Sequence, residues 1–160
     1  MSKDLALPRA EDTESLGRDL ARTRPQRAVV YLEGELGAGK STLARALLRA
    51  LGVSGPIKSP TYTLVERYGL DEGEAAHLDL YRIAEAGELD FLALDELAGE
   101  ARLWLIEWPD RGRSGLPPAD LRVRLTMVGE GRRAELSPES PTGRAWLADF
   151  SKIAAPRASS

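Results

Sequence analysis

The most constraining stretch of the chain is Gly34-Glu35-Leu36-Gly37-Ala38-Gly39-Lys40-Ser41. It follows the apolar run Ala28-Val29-Val30-Tyr31-Leu32, and it precedes Leu43, Leu47, Leu48 and Leu51 at helical spacing. A short apolar run with β-branched and aromatic residues reads as a buried strand. The leucines read as a helix over 42–51 that Gly52 stops. Between strand and helix, the glycines permit backbone angles closed to other residues. They also let successive N–H groups turn inward around an anion. The Gly-x-x-x-x-Gly-Lys-Ser order fits the Walker A pattern without a mismatch. In that pattern the helix N-terminus faces phosphates. Glu35, Leu36, Gly37, Ala38 and Gly39 form the cradle, and Lys40 brings a point charge to the β- and γ-phosphates. The Ser41 hydroxyl is the expected Mg2+ ligand, and Thr42 can bond an α-phosphate oxygen. These residues point to a triphosphatase acting on a nucleotide.

Mg2+ or an attacking water also needs a carboxylate. Leu103-Trp104-Leu105-Ile106-Glu107 supplies one, as an apolar strand ending in an acid. Asp79, between His77-Leu78 and Leu80-Tyr81-Arg82, has a similar character. His77 is the only histidine. A lone strand histidine is more often hydrogen-bonded structure than a proton shuttle. Trp108 can stack on a base, face a partner or pack at the strand end.

The remaining pattern is strand and helix in alternation. Residues 12–22 read as an amphipathic helix with Asp12 as its N-cap. Residues 63–68, 76–81 and 102–106 read as strands, and 85–97 as a helix. Residues 121–127 and 132–136 read as an antiparallel strand pair, and 142–150 as a closing helix. Such alternation predicts an α/β fold, a P-loop NTPase-like three-layer sandwich. Its central sheet is expected to be mostly parallel, with an antiparallel C-terminal strand pair. One domain is expected over residues 1–150, with 151–160 fraying.

Composition excludes some classes of function. The chain has no cysteine, so disulfides and thiolate metal sites are out. That favours a reducing compartment, and the cytoplasm is the expected location. No apolar run approaches the roughly 20 residues of a membrane span, and no secretory signal is evident at the N-terminus. The net charge is −3, without the basic excess of a protein that grips nucleic acid alone. Glu85, Glu88, Asp90, Asp95, Glu96 and Glu100 lie in a stretch without Lys or Arg, which reads as a solvated helix face before a docking face.

Three further segments narrow the reading. They are Ser59-Pro60-Thr61-Tyr62-Thr63-Leu64-Val65-Glu66, His77-Leu78-Asp79-Leu80-Tyr81-Arg82 and Glu107-Trp108-Pro109. In this order, behind the glycine loop, they resemble the TsaE family, the small bacterial ATPase of tRNA threonylcarbamoyladenosine biosynthesis. The likeness runs from about residue 16 to the Gly131-Arg132 turn. It implies binding of ATP and Mg2+ and slow hydrolysis by the protein alone. It implies docking on TsaB and TsaD, whose complex transfers a threonylcarbamoyl group to adenosine 37 of tRNAs reading codons that begin with A. The tRNA would be met only through those partners. By the same resemblance Lys40 is the phosphate lysine, Ser41 and Glu107 hold Mg2+, and Asp79 is a second acid near metal or water. Thr61 and Thr63 fall in a switch-like segment, although a plain turn after Pro60 would read the same. Arg9 and Gly131 come near the nucleotide.

Two other readings share the glycine loop. A small-molecule kinase would need an acceptor pocket and lid arginines, for which Arg111, Arg113 and Arg132 are available. A non-enzymatic GTP switch would read guanine with Asn-Lys-x-Asp, and the chain contains no asparagine and no Asp-x-x-Gly.

Overall fold

The computed structural model describes residues 2–83, 94–112 and 115–154. Seven strands form one mixed sheet in the order β1-β7-β6-β2-β5-β4-β3. They are β1 (Lys3–Leu7), β2 (Ala28–Glu33), β3 (Val65–Gly69), β4 (Glu74–Asp79), β5 (Ala101–Glu107), β6 (Leu121–Val128) and β7 (Gly131–Pro138). The helices are α1 (Ala10–Thr23), α2 (Lys40–Ala50), α3 (Leu94–Glu100) and α4 (Pro141–Ile153). β2 pairs in parallel with β5 and with β6, and β4 pairs in parallel with β5. The parallel core is therefore β6-β2-β5-β4. Both margins are antiparallel, through β3 on β4 and through β7 and β1 beyond β6. Antiparallel pairing is thus not confined to the expected C-terminal pair. β1, which the sequence reading left unassigned, closes the far edge.

Alternation along the strands explains how the sheet is covered. On β5, Leu103 and Leu105 face one apolar cluster, and Trp104 and Ile106 face another. The first cluster takes Leu16 and Leu20 of α1, Leu43, Leu47 and Leu48 of α2, and Trp146 and Phe150 of α4. The second takes Leu78, Leu80, Ile83 and Leu97 of α3. The α2-bearing face is where the functional side chains collect.

Helix ends follow local chemistry. α1 starts earlier than expected, because Arg9 is its N-cap and Asp12 its third residue. The Asp12 carboxylate accepts the Arg9 backbone N–H at 2.9 Å, half of a capping box. α2 stops as expected at Gly52, whose φ of 97° is left-handed and whose N–H reaches the Arg49 carbonyl at 3.0 Å. α4 begins at Pro141, with the Ser140 Oγ accepting the Gly143 N–H at 3.0 Å. It runs to Ile153, so its last turn covers the start of the segment expected to fray. The expected helix over 85–97 overlaps α3, and its first nine residues lie outside the described residues, as do Arg113 and 155–160.

β3 begins at Val65 rather than residue 63. Residues ahead of it wind into a turn closed by the Leu64 N–H to the Pro60 carbonyl at 2.7 Å, with Leu64 at a left-handed φ of 69°. β4 likewise ends at Asp79, before the expected residue 81. The Leu80 N–H still reaches the Glu107 carbonyl at 3.1 Å, and Ile83 then bonds back to Leu80.

Candidate functional site

The glycine loop leaves the C-terminal end of β2 and enters α2. Gly34, Gly37 and Gly39 have φ values of 145°, 83° and 106°, conformations that residues with a Cβ rarely adopt. At Gly34 a Cβ would also lie 2.5 Å from the Leu125 carbonyl oxygen of β6. The loop closes on itself through the Ala38 N–H to the Glu35 carbonyl at 3.0 Å. The first helical bond runs from the Leu43 N–H to the Gly39 carbonyl at 2.9 Å. The N–H groups ahead of it, on Lys40, Ser41 and Thr42, present an anion-binding helix N-terminus.

Four of the five buried polar or charged residues among those described gather behind this loop: Lys40, His77, Asp79 and Glu107. Register brings them together. Asp79 on β4 stands opposite Glu107 on β5, and Glu107 also pairs with Leu32 of β2. Glu107 shares the face of Leu103 and Leu105, which is the α2 side of the sheet. Its carboxylate oxygens therefore meet the Ser41 hydroxyl at 3.2 and 3.1 Å. One of them also lies 2.6 Å from the His77 Nε2.

The Lys40 ammonium donates to the carbonyls of Gly34 and Glu35, the latter at 3.0 Å. It lies 4.4 Å from the centre of the Trp108 ring, whose face attracts a cation. Trp108 reaches this place because its φ of 58° turns the chain sharply after β5, and its ring also packs on Tyr81 at 4.9 Å. Burial lowers the Lys40 pKa below its ordinary value, while the Glu107 and Asp79 carboxylates oppose the shift. Burial pushes the Asp79 carboxyl up. The Tyr81 N–H and the neighbouring His77 and Lys40 side chains pull it down, and Glu107 adds to the rise. The Tyr81 N–H bonds Asp79 at 3.1 Å, and Thr61 Oγ1 is at 3.5 Å, the outer limit of a hydrogen bond.

The remaining expected residues fall around this cluster. Thr61 is tied to Ser59 at 2.7 Å and leans toward Asp79, whereas Thr63 is exposed in the turn. Arg9 and Gly131 line a cavity of about 180 Å3 together with Gly37, Gly39 and Thr42. Gly131 allows the approach of the N-terminal segment, since a Cβ there would lie 2.9 Å from Pro8 Cα. Glu35 and Ala38 border a second cavity of about 500 Å3, with Trp108, Asp110 and Arg124. Leu36 projects from the loop, 61% exposed.

Arg132 has a role that sequence reasoning did not assign. Its guanidinium donates to the carbonyls of Ala38 at 3.2 Å and Gly37 at 3.0 Å, bracing the loop from β7. Nothing local in the sequence marks this, because the contact spans 94 residues. The His77–Glu107 bond and the Lys40–Trp108 contact were likewise not read from the sequence.

The donor set fits a hard cation. Ser41 Oγ and the Glu107 carboxylate are oxygen ligands that converge, and Mg2+ takes few protein oxygens beside water and phosphate. Among the described residues, no three of His, Cys, Asp and Glu are arranged to hold a metal ion as a zinc site would need.

A family model described as "Threonylcarbamoyl adenosine biosynthesis protein TsaE" matches residues 7–134. The chain belongs to the TsaE family. The matched residues run from the end of β1 into β7 and contain every site residue named above, with α4 outside them. The TsaE of Haemophilus influenzae is 39% identical over 133 residues, covering 82% of this chain and 84% of that protein. The TsaE of Aquifex aeolicus is 35% identical over 133 residues, covering 82% and 92%. Both relatives are tRNA threonylcarbamoyladenosine biosynthesis proteins by name. The crystal structure of Bacillus subtilis YdiB superposes with a TM-score of 0.80 at 22% identity, over 95% of each chain, and so shares the fold. The family is thus one of threonylcarbamoyladenosine biosynthesis, and no helix among the described residues is long and apolar enough to cross a membrane.

Proposed function

We propose that this chain binds ATP and Mg2+ at the loop of residues 34–41 and hydrolyses ATP, releasing the γ-phosphate, in support of threonylcarbamoyl transfer to tRNA by TsaB and TsaD. The observation that carries this reading is the convergence of Ser41 and Glu107 at 3.1 to 3.2 Å, directly behind an anion-binding helix N-terminus. In this reading the fold is a P-loop NTPase sandwich, supported by apolar clusters on both faces of the sheet. The N–H groups of the loop and the first turn of α2 hold the phosphates. Lys40 moves its ammonium from the loop carbonyls to phosphate oxygens, and Arg132 keeps the loop in shape meanwhile. Mg2+, when bound, neutralises charge on the phosphates. Ser41 and Glu107 are the side chains that would hold it. Asp79, whose carboxyl burial pushes up, stands opposite Glu107 and would orient the attacking water. The cavity shared by Arg9, Thr42 and Gly131 receives the nucleoside.

The net charge of −3 supports contact with tRNA only through the partners. The test is to mix the purified protein with TsaB and TsaD and follow Mg-ATP turnover and elution volume. Both are expected to change on mixing. A protein whose turnover and elution are indifferent to TsaB and TsaD would sink the proposal. One observation speaks for a small-molecule kinase, the cavity of about 500 Å3 beside Gly34. A phosphorylated acceptor detected by mass spectrometry would favour that reading instead.

A further inference from the structure

His77 is the chain's only histidine and is 2% exposed. It sits on β4 opposite Leu105 of β5, two residues before the Asp79–Glu107 pair. Period-two alternation therefore turns His77, Asp79, Leu105 and Glu107 to the same α2-bearing face. The His77 Nε2 and a Glu107 carboxylate oxygen, Oε2, are 2.6 Å apart, with side chains only 2% and 3% exposed. A contact so short and dry is a charge-assisted hydrogen bond.

The other ring nitrogen decides the tautomer. His77 Nδ1 is buried with no hydrogen-bond partner among the described residues. A carboxylate only accepts, so Nε2 carries the hydrogen. A second hydrogen on Nδ1 would be an orphaned buried donor, a rarer defect than an unused lone pair. The imidazole is thus the neutral Nε2–H form. This matters to Glu107. A lysine or arginine in this place would cancel the carboxylate's charge, whereas a neutral N–H orients it and leaves the charge available.

Glu107 needs such an anchor. Its side chain has three rotatable bonds, and its other bonding partner, Ser41, is the hydroxyl assigned to the metal. We infer that His77 is a positioning residue for Glu107, its Nε2–H holding Oε2 so that Oε1 is the oxygen left to act on metal or water. The inference rests on the ATPase reading proposed above. Asp79 is not held in this way, since it relies on the Tyr81 N–H and Thr61.

Glutamine and asparagine separate the two ring nitrogens, because the Gln amide nitrogen reaches about as far as Nε2 and the Asn nitrogen only as far as Nδ1. Mg-ATP turnover with TsaB and TsaD is measured across a magnesium titration for wild type, H77Q, H77N and H77L. H77N and H77L are expected to lose about 10- to 30-fold in kcat and to need about 10-fold more magnesium, the usual size of an outer-shell effect. KM for ATP should stay within about threefold, and H77Q should recover most of the loss. Equal rates in H77Q and H77N, or wild-type kcat and magnesium demand in H77L, would overturn the inference. Should H77L fail to fold, the contrast between H77Q and H77N decides alone.

A second readout needs neither metal nor nucleotide. Long-range proton–nitrogen NMR of the free protein should show one protonated and one bare nitrogen in His77, with the Nε2 proton displaced in E107Q. A proton found on Nδ1 contradicts the arrangement. E107Q turnover distinguishes the two levels of failure. If E107Q is inactive while H77L behaves as wild type, only the role of His77 falls. If E107Q is fully active, the assignment of Glu107 falls and the role of His77 with it, whereas wild type without Mg-ATP turnover would sink the ATPase reading itself.

Discussion

Two corners of the same sheet face are built on opposite rules. Under α1 and α4, Leu16, Leu20, Trp146 and Phe150 are 1% exposed or less, and the polar handle of Trp146, its Nε1–H, is satisfied by the Leu20 carbonyl at 3.2 Å. Under the start of α2, Lys40, His77, Asp79 and Glu107 are buried against each other. Burial lowers the Lys40 pKa and raises that of Asp79, and His77 Nδ1 has no hydrogen-bond partner among the described residues. The first corner contributes stability through apolar burial. The second carries costs that folding alone does not require, as expected of the binding site proposed there.

The sharpest way to break the comparison is to exchange the consequences of mutation. Lys40→Ala should cut Mg-ATP turnover about 100-fold or more and weaken nucleotide binding, yet leave the urea midpoint little changed. Phe150→Ala should do the reverse. It is expected to cost about 3–5 kcal/mol in urea unfolding while the folded fraction keeps its ATP affinity. If Lys40→Ala unfolds the protein and Phe150→Ala instead abolishes nucleotide binding, the two corners do not divide the labour as described.

A smaller effect sharpens the contrast through pH. The Asp79 carboxyl is raised above 3.8 chiefly by burial. An acid raised in the folded state is penalised when ionised. The penalty is present above the folded pKa and vanishes below the unfolded one. Asp79→Asn should therefore raise the urea midpoint at pH 7, and the gain should fade as pH falls through the raised folded pKa and be gone below 3.8. An Asp79→Asn variant that is less stable at pH 7 would show that Asp79 is held for the fold.

The loop corner was the more legible of the two in the sequence, for a physical reason. The glycine spacing, the strand before it and the leucines after it are all local, so residues 28–51 could be read from propensity and period alone. Glu107 was legible as an acid ending an apolar strand. Its contact with His77 was not, because that depends on the register between β4 and β5. β1 was missed because Lys3–Leu7 is short, sits at the sheet edge and shows only Leu5 and Leu7 inward. The N-cap of α1 was misplaced because Asp12 is a capping-box residue that bonds back from inside the helix. Trp108 could be read as stacking or packing. Its left-handed φ, which places the ring beside Lys40, has no signature in residue type.

The most direct test of the central claim is Glu107→Gln, which keeps the shape and one acceptor oxygen while removing the charge. ATP binding by calorimetry and Mg-ATP turnover with TsaB and TsaD should be measured on the same preparation. Turnover is expected to fall about 100-fold or more while ATP affinity stays within a few-fold. Wild-type turnover in Glu107→Gln would contradict the assignment of Ser41 and Glu107 as the reacting centre.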